Sequence, residues 1–309
     1  MINPFLPVPI EICNFNFGCQ SYVLRDDLSH SEISGNKYRK LKYVMSSIMK
    51  SGAKGIITFG GPFSNHIYST AAYANLLGLE SIGIIRGEDD KDNPTLKFAR
   101  SRNMRLYFVS RSAYRLKQES SEIKALLLSN PDHEIVDEGG EHPLAFVGLK
   151  EIVDEIEDQK MIPDYIAISA GTGTTAAGIL RAVCDKRWKT KIIVISPMKN
   201  KVLMDKIISI SDRKFHSDQL VFIDEFAGNG YAKVSEELIR FMYTFYEVTR
   251  IKLDQIYTAK LVHGLYQLSL RNFFKPNDTL LWIHTGGLQG IEGYNYMMHK
   301  LGKGSAIKY

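Results

Sequence analysis

The chain has 309 residues. A single hydrophobic core rarely extends over a chain of this length, so one large domain or two lobes is expected. Hydrophobic residues make up 44% and charged residues 24%, which is ordinary for a globular protein and excludes collagen-like or disordered chains. The net charge of +5 comes without a dense block of lysine and arginine, so no nucleic-acid partner is expected.

The three cysteines, Cys13, Cys19 and Cys184, are an odd number without the spacing of metal ligands. We therefore expect no disulfide framework, no metal site and a reducing compartment. The first ten residues contain three prolines and no basic flank, unlike a signal peptide, and the longest apolar runs are too short to cross a bilayer. The expected location is the cytoplasm, away from membranes.

Short apolar runs alternate with longer helical patterns along the chain. In order, the first half predicts strand 55–59, helix 65–77, strand 81–85, helix 93–102, strand 105–109, helix 112–128 and strand 133–136. The second half predicts helix 144–158, strand 165–169, helix 174–184, strand 191–196, helix 199–208, strand 219–223, helices 234–246 and 257–273, and strand 279–283.

The predicted strands are β-branched and almost continuously apolar, as parallel strands buried on both faces are. Their alternation with helices predicts an α/β fold with parallel, doubly wound sheets. Ligand-binding loops are then expected at the carboxyl ends of the strands. No Pro/Gly/Ser-rich linker separates two domains, so any two lobes must be joined by chain that passes between them.

The first candidate for chemistry is SGNKYRKL at 34–41, where Lys37 follows a glycine and an asparagine at the start of an amphipathic stretch. Partial burial there would lower the pKa of the lysine and free its amine to act as a nucleophile, Schiff-base former and base. A surface loop of solvated lysines is the alternative that this segment alone leaves open.

The second candidate is GGPFSNH at 60–66, which follows one predicted strand and opens a helix. Ser64 suits the N-cap, and the glycines allow close approach of the backbone to a ligand. Such a helix N-terminus favours anions, although an ordinary strand–turn–helix connection is an equal alternative. His66 alone is more typical of a structural histidine.

The third segment, SAGTGTTAAG at 169–178, carries the strongest local signal. It also joins a strand to a helix, and its glycines expose N–H groups beside several hydroxyls, as a phosphate cradle requires. It lacks the lysine of a P-loop, and Ala176 replaces the third glycine of a dinucleotide fingerprint. A tight turn without a ligand is the alternative.

Three shorter segments complete the set. HTGGL at 284–288 is a glycine turn after the last predicted strand, DQIYT at 254–258 leads into a long helix, and GNGY at 228–231 ends in a tyrosine. Each is weak alone, because glycine turns are common and tyrosines are usually packing residues.

Together the segments resemble the 1-aminocyclopropane-1-carboxylate deaminase and D-cysteine desulfhydrase family, within the tryptophan-synthase-β-like (fold type II) pyridoxal-phosphate (PLP) enzymes. GNKYRKLKY, TFGGPFSNH, DEGGEHPLA, AGTGTTAAG, LDQIYTAK and HTGGLQG appear in the family's order, and the similarity runs from Asp26 to Tyr294. The resemblance implies a large cofactor-binding domain of 1–42 and 151–309, a small domain of 43–150 with the cofactor between them, and a homodimer.

The resemblance also implies which residues hold the cofactor. Lys37 would form a Schiff base with PLP and later move the Cα proton, while Asn65 would bond the phenolic oxygen. Thr285 would face the pyridine nitrogen. The expected phosphate cradle consists of Gly171, Thr172, Gly173, Thr174 and Thr175.

A small amino acid is the implied substrate. The expected contacts are Ser64, Asn65, His66, Tyr231, Tyr257 and Thr258. Ser64 and His66 would meet the substrate carboxylate, and Tyr231 and Tyr257 would flank the substrate. With Lys37, the resemblance makes Ser64, Tyr231 and Tyr257 the catalytic residues.

A hydroxyl rather than a carboxylate at the ring nitrogen would leave that nitrogen largely unprotonated, which favours β-elimination. The expected reaction converts D-cysteine to pyruvate, sulfide and ammonia. Thr258 favours this over cyclopropane opening, because deaminases of the family carry glutamate there. Phe63 and the pair Glu141-His142 also depart from the family pattern, so the substrate pocket is expected to differ from those of both named enzymes.

Three alternatives stay open at this point: a 1-aminocyclopropane-1-carboxylate deaminase, another PLP enzyme such as a racemase or dehydratase, and a binding protein that keeps the fold without catalysis. Lys37 together with an intact phosphate loop speaks against the last of these.

Overall fold

The β-strands fall into two separate sheets in the computed structural model, which describes residues 7–228, 230, 232–303 and 306–309. The strands are β1 Ile10–Ile12, β2 Gln20–Leu24, β3 Gly55–Gly60, β4 Glu80–Arg86, β5 Arg105–Val109, β6 His133–Val136, β7 Tyr165–Ser169, β8 Lys191–Ile195, β9 Leu220–Ile223 and β10 Thr279–Ile283. The larger sheet has the order β1-β2-β10-β7-β8-β9, and the smaller sheet has the order β5-β4-β3-β6.

Every strand pair of these sheets is parallel except β1 with β2. The helices are α1 Asn36–Ser51, α2 Asn65–Leu77, α3 Pro94–Ser101, α4 Arg111–Leu116, α5 Ser121–Leu128, α6 Ala145–Asp158, α7 Thr174–Asp185, α8 Lys201–Ser211, α9 Glu236–Thr249, α10 Thr258–Leu270 and α11 Gly290–Lys300. The predicted α/β class with parallel sheets is confirmed. None of the described helices is both long and apolar enough to span a membrane.

The larger sheet is covered by helices on both faces. Along β10, Leu281 and Ile283 pack with the α6 and α7 core, while Leu280 and Trp282 pack with the α9 and α10 core. All four side chains are fully buried. This two-sided burial explains why the strand reads as a continuous apolar run rather than an alternating one.

The predicted helix 112–128 is wrong as a single helix. The chain forms α4, a 3₁₀ turn at Lys117–Glu119, and then α5. Lys117 adopts a positive φ of 51°, which ends α4. Its ammonium lies 3.9 Å from the ring centre of Tyr114 and 4.4 Å from that of Phe59, so cation–π contacts hold the break in place.

Helices α1 and α6 connect the two sheets: α1 packs in a core beside the smaller sheet, α6 packs in the core of the larger sheet, and the two helices contact each other. Leu41 and Met45 of α1 pack in a core beside the smaller sheet, while Gly148 of α6 lets the α1 backbone approach. A Cβ at Gly148 would lie 2.0 Å from the Arg39 carbonyl oxygen. The predicted boundaries at 42/43 and 150/151 fall inside these two helices. The division at 43–150 stays a prediction, although every strand of the smaller sheet lies within it.

Candidate active site

The segments singled out in the sequence converge on one cavity of about 1750 Å³. Its walls come from loops at the carboxyl ends of β3, β4, β7 and β10, from the start of α1 and from the chain before α10. Gly228 of the GNGY segment and the following Ala232 also line it, while Tyr231 lies outside the described residues. Clefts at the carboxyl ends of parallel strands are where such folds bind ligands.

Lys37 lies in the first turn of α1 with its amine in the cavity. Its Nζ donates to Asn36 Oδ1 at 3.2 Å. Burial lowers the pKa of Lys37 from 10.5 to about 8, and the carboxylate of Asp254 opposes that shift. Near pH 7 the neutral fraction of the amine is therefore roughly 300-fold larger than for a solvated lysine.

Gly35 brings the start of α1 against the turn that follows β10. Its φ is 68°, and a Cβ there would lie 2.0 Å from the Thr285 carbonyl oxygen. Only glycine allows both this conformation and this approach. Lys37 and Thr285 are thereby held on adjoining walls of the cavity.

His284 was not predicted as a site residue, but it holds the same turn. Its fully buried ring accepts from Gly286 N–H at Nδ1, 3.2 Å, and donates from Nε2 to the Lys252 carbonyl, 2.7 Å. The two ring nitrogens of His284 thus bridge the turn to the backbone before α10. Its position directly before the TGG turn was the available signal.

The predicted phosphate cradle forms the junction of β7 and α7. Gly173 precedes α7 with a φ of 88°, and the helix N-terminus opens on the cavity. Thr175 Oγ1 accepts from Asn36 Nδ2 at 3.0 Å, which connects the cradle to the segment that carries Lys37. Gly171 and Thr172 also line the cavity, so an anion here would meet the N-terminal N–H groups.

Thr174 differs from its neighbours. Its side chain is fully buried and its hydroxyl lies 3.3 Å from that of Thr172, away from the cavity lining. The predicted contribution of Thr174 to the cradle is thus restricted to its backbone. Ser169 Oγ, at the end of β7, lines the cavity and is buried without a hydrogen-bond partner among the described residues. A ligand oxygen would satisfy this hydroxyl.

Ser64 is the N-cap of α2, as predicted from its position. Its Oγ accepts from the backbone N–H groups of His66, 3.2 Å, and Ile67, 3.3 Å. Asn65 lies beside it in the cavity wall, where its Oδ1 accepts from Gln289 Nε2 at 3.1 Å. The two side chains face the cavity from α2, so their predicted roles remain sterically open.

His66 lines the cavity, but its ring nitrogens face hydroxyl groups of the protein, so its predicted contact with a substrate carboxylate stays a prediction. Its ring is buried, with Nε2 at 2.8 Å from Thr58 Oγ1 and Nδ1 at 3.5 Å from Thr70 Oγ1. Thr58 donates to the Val136 carbonyl, so it accepts from the imidazole N–H. Burial, aided by the charges of Lys37 and Lys40, holds the pKa of His66 well below its usual value. A neutral, engaged ring offers no charge to a substrate.

The prediction that Thr258 contacts substrate is wrong in this structure. Its side chain is fully buried below the cavity, and its hydroxyl donates to Asp254 Oδ1 at 2.7 Å. Asp254 also accepts from the N–H groups of Ile256, Tyr257 and Thr258, at 3.0, 2.9 and 2.8 Å. The aspartate therefore caps the start of α10, and Thr258 completes the cap. A side-chain type alone does not reveal which way a hydroxyl points.

Tyr257 lies in the cavity wall, and its predicted place beside the substrate stays a prediction. Its ring packs against the cradle, since a Cβ at Gly171 would lie 3.1 Å from Tyr257 Cε1. Lys40, which was not singled out, lies three residues after Lys37 and donates to the Gly139 carbonyl at 2.8 Å. Burial and the charge of Lys37 hold the pKa of Lys40 well below its usual value. The i, i+3 spacing was the signal that could have identified it.

The site fits PLP chemically. It supplies a lysine amine, a glycine-rich helix N-terminus for the phosphate, and unsatisfied buried polar atoms at Ser169 Oγ and Gln255 Oε1. Within the described parts of the chain, no three His, Cys, Asp or Glu side chains cluster as a metal site would require.

Comparison with protein families agrees with this chemistry. Residues 7–286 match the family model described as "Pyridoxal-phosphate dependent enzyme", and the chain belongs to this family. It is a PLP-dependent enzyme, and its parallel α/β architecture is that of fold type II.

Individual relatives carry two activities in their names. The bifunctional D-cysteine desulfhydrase/1-aminocyclopropane-1-carboxylate deaminase of Arabidopsis thaliana is 29% identical, over 93% of this chain and 77% of its own length. A D-cysteine desulfhydrase of Klebsiella pneumoniae is 24% identical over 94% of both chains. A crystal structure described as an ACC deaminase homologue superposes with a TM-score of 0.82 at 25% identity, covering 95% of this chain and 93% of its own.

Proposed function

We propose that this enzyme removes the β-substituent of a small amino acid, with D-cysteine as the preferred substrate. D-cysteine and water would give pyruvate, hydrogen sulfide and ammonia. The observation that carries the proposal is the amine of Lys37, with a pKa lowered to about 8, in a cavity that also contains the cradle at 171–175.

PLP, when bound, supplies an electron sink that acidifies the Cα–H of an attached amino acid. Lys37 would carry the cofactor and, once released, act as the base at Cα, for which a pKa near 8 is suitable. The α7 N-terminus would hold the phosphate, and Asn65 would orient the ring from the opposite wall. Thr285 would offer a hydroxyl, which leaves the ring nitrogen without a carboxylate partner and favours elimination.

The substrate would lie between α2 and the chain before α10. Ser64 and the N-terminus of α2 suit the substrate carboxylate, because the dipole of a helix favours anions at its N-terminus. Tyr257 would border the substrate from the cradle side. Tyr231 retains its predicted place beside the substrate as a proposal that rests on the family resemblance.

The family resemblance supports desulfuration over cyclopropane opening, because it implies that deaminases carry a glutamate at the position after Tyr257. Thr258 is buried against the Asp254 carboxylate at 2.7 Å. A glutamate there, as the resemblance implies for deaminases, would place a second carboxylate beside a buried one, which costs several kcal/mol unless one is protonated. The local capping arrangement therefore suits threonine.

The deciding experiment measures products of the PLP-loaded enzyme with D-cysteine, L-cysteine and 1-aminocyclopropane-1-carboxylate in parallel. We expect pyruvate and sulfide from D-cysteine in preference, and no turnover by Lys37→Ala. Release of 2-oxobutyrate from the cyclopropane without sulfide from either cysteine would assign the deaminase activity instead. Absence of turnover with all three, with cofactor bound, would refute the proposal and leave a racemase, a dehydratase or a binding protein.

We infer also that the enzyme is a cytoplasmic homodimer. Cys13, Cys19 and Cys184 are all free thiols, which suits a reducing compartment. The dimer rests on the family resemblance. Sedimentation of the PLP-loaded protein would give twice the mass of the chain, and a monomeric mass at micromolar concentration would refute the dimer.

A further inference from the structure

Lys260, on α10, buries its ammonium among three backbone carbonyls. Nζ donates to Ala227 at 2.7 Å, to Pro197 at 3.0 Å and to Gly230 at 3.1 Å. An ammonium has three donors, so each finds an acceptor. Lys260 is 2% exposed.

Burying a lysine ammonium costs free energy unless its hydrogen bonds compensate for the lost water. Burial lowers the pKa of Lys260, and the carboxylate of Asp254 acts in the opposite direction. An aliphatic side chain would fill the same space without desolvating a charge. The three carbonyl groups that need a donor therefore explain why a lysine occupies this position.

The three carbonyls belong to two loops that line the active-site cavity. Pro197 lies in the loop after β8, next to Met198 of the cavity wall. Ala227 and Gly230 belong to the turn after β9, whose Gly228 also lines the cavity. Lys260 thus connects α10, which starts at the capped Asp254 segment, to the opposite wall.

Ala227 is fully buried, and the Gly230 carbonyl also accepts from Lys233 N–H at 3.2 Å, but the two glycines of the turn are loosely surrounded. Gly228 and Gly230 have φ values of 66° and 131°, and nothing lies within 4 Å of a Cβ at either. Glycines with open surroundings leave a turn free to move. The ammonium of Lys260 is a buried side-chain donor that joins the carbonyls of Ala227 and Gly230.

We propose that Lys260 is a positioning residue, which fixes the carbonyls of Ala227 and Gly230 and with them the part of the cavity wall formed by Gly228 and Ala232. The inference rests on the proposed function, since that wall would flank the amino acid. Lys260 would act through these carbonyls and would not touch the reacting atoms.

Lys260→Met tests the proposal because it keeps the length of the side chain and removes its donors. We expect KM for D-cysteine to rise about tenfold or more, with kcat changed less and the cofactor absorbance band unchanged. Hydrogen exchange should accelerate in a peptide spanning 224–235 and not elsewhere. Lys124→Met, an exposed lysine on α5, is the matched control and should change neither.

Two further variants keep the proposal falsifiable if methionine impairs folding. Lys260→Arg retains the charge, but its planar fork cannot reproduce three converging bonds, so KM should still rise. In Lys260→Ala, KM should be raised, and added methylammonium, which replaces the missing ammonium group, should lower it again. Unchanged KM and unchanged exchange at 224–235 in folded Lys260→Met, or Lys260→Arg equal to wild type, would refute it.

The outcome is separable from that of the proposed function. If the wild-type enzyme does not turn over D-cysteine, exchange at 224–235 still reports the bonds of Lys260, and KM is measured with whichever amino acid is consumed. Faster exchange with no effect on any amino acid's KM would reduce Lys260 to a structural residue.

Discussion

The buried amine of Lys37 suits catalysis but lowers the stability of the folded apoenzyme. Its pKa falls from 10.5 in the unfolded chain to about 8 in the folded one, mainly through burial. Between pH 8 and 10.5 the unfolded chain binds more protons, so stability rises with pH across that window. Below pH 8 both states are protonated and the full cost is present.

Replacing the amine should therefore stabilise the apoenzyme at neutral pH. We expect Lys37→Met to raise the free energy of unfolding by about 1 kcal/mol at pH 7, with the gain shrinking as pH approaches 10.5. Urea unfolding of both apoproteins at pH 7 and pH 10 measures this. A variant that is less stable at pH 7, or a gap independent of pH, would contradict the desolvated amine.

Gly35 offers a second test at the scale of one residue. Gly35→Ala would force a Cβ to 2.0 Å from the Thr285 carbonyl, which no rotamer change relieves. We expect a loss of about 3 kcal/mol or more and failure to bind PLP. Gly52 has a similar φ of 75° with nothing within 4 Å, so Gly52→Ala should cost only about 1 kcal/mol and bind PLP normally. Equal effects, measured by unfolding and cofactor titration, would argue against the close approach.

Site residues were predictable where a glycine or a cap defines a position, and not where direction decides. Ser64 and Gly173 follow from strand–turn–helix patterns and lie as predicted. The polar atoms of Thr258 and His66 bond to buried partners, Asp254 and Thr58, although His66 still lines the cavity. Those partners are 4 and 8 residues away in sequence, and local pattern does not reveal the pairing.

At the level of elements, α1 and α6 are joined by a buried charge network. Arg39 Nε donates to Asp26 Oδ1 at 2.9 Å, and its Nη atoms donate to Glu155 at 2.5 and 2.8 Å. Arg39 and Asp26 are fully buried. Burial raises the pKa of Asp26, and the charge of Arg39 opposes the rise.

Removing the arginine leaves the aspartate buried and unpaired. Arg39→Met should cost about 3–5 kcal/mol at pH 7. The loss should shrink near pH 5, because a protonated Asp26 needs no counterion and its folded pKa rises further in the variant. Arg250→Met breaks the exposed pair with Glu247 and should change stability by less than about 0.5 kcal/mol. Denaturant unfolding of both variants at pH 7 and pH 5 measures these losses. If Arg39→Met lost no more stability than Arg250→Met, the buried network would be contradicted.

Elements with local periodicity were predictable, and those defined by distant partners were not. Strands 105–109, 133–136, 165–169 and 279–283 and helix 65–77 match the structure in their bounds. β2 was missed because its neighbour β10 lies at the far end of the chain, with Tyr22 opposite Leu281. α1 is rich in lysine and arginine, yet it buries Arg39 and Lys40, which a polar pattern does not suggest.

At the scale of the molecule, the cavity around Lys37 is lined by loops that follow strands of both sheets. α1 and α6 connect their regions, so we expect a single unfolding transition. Trp188 and Trp282 both lie in cores of the larger sheet, so tryptophan fluorescence reports that sheet, while far-UV circular dichroism reports both. The two melting curves should coincide.

PLP should move both curves together. At a free concentration 100 times Kd, binding adds about 2.7 kcal/mol to the free energy of unfolding. The shift should be much smaller in Lys37→Ala, which loses the covalent attachment. A separate dichroism transition that PLP does not move would show that the smaller sheet unfolds independently of the site.

The most direct test of the central claim is the identity of the lysine that carries the cofactor. The PLP-loaded enzyme would be reduced with borohydride, digested and mapped by mass spectrometry. The mass of the reduced cofactor is predicted on Lys37. Its presence on Lys40 or Lys260, which are also buried lysines at the cavity, would contradict the assignment of Lys37 as the residue that carries PLP.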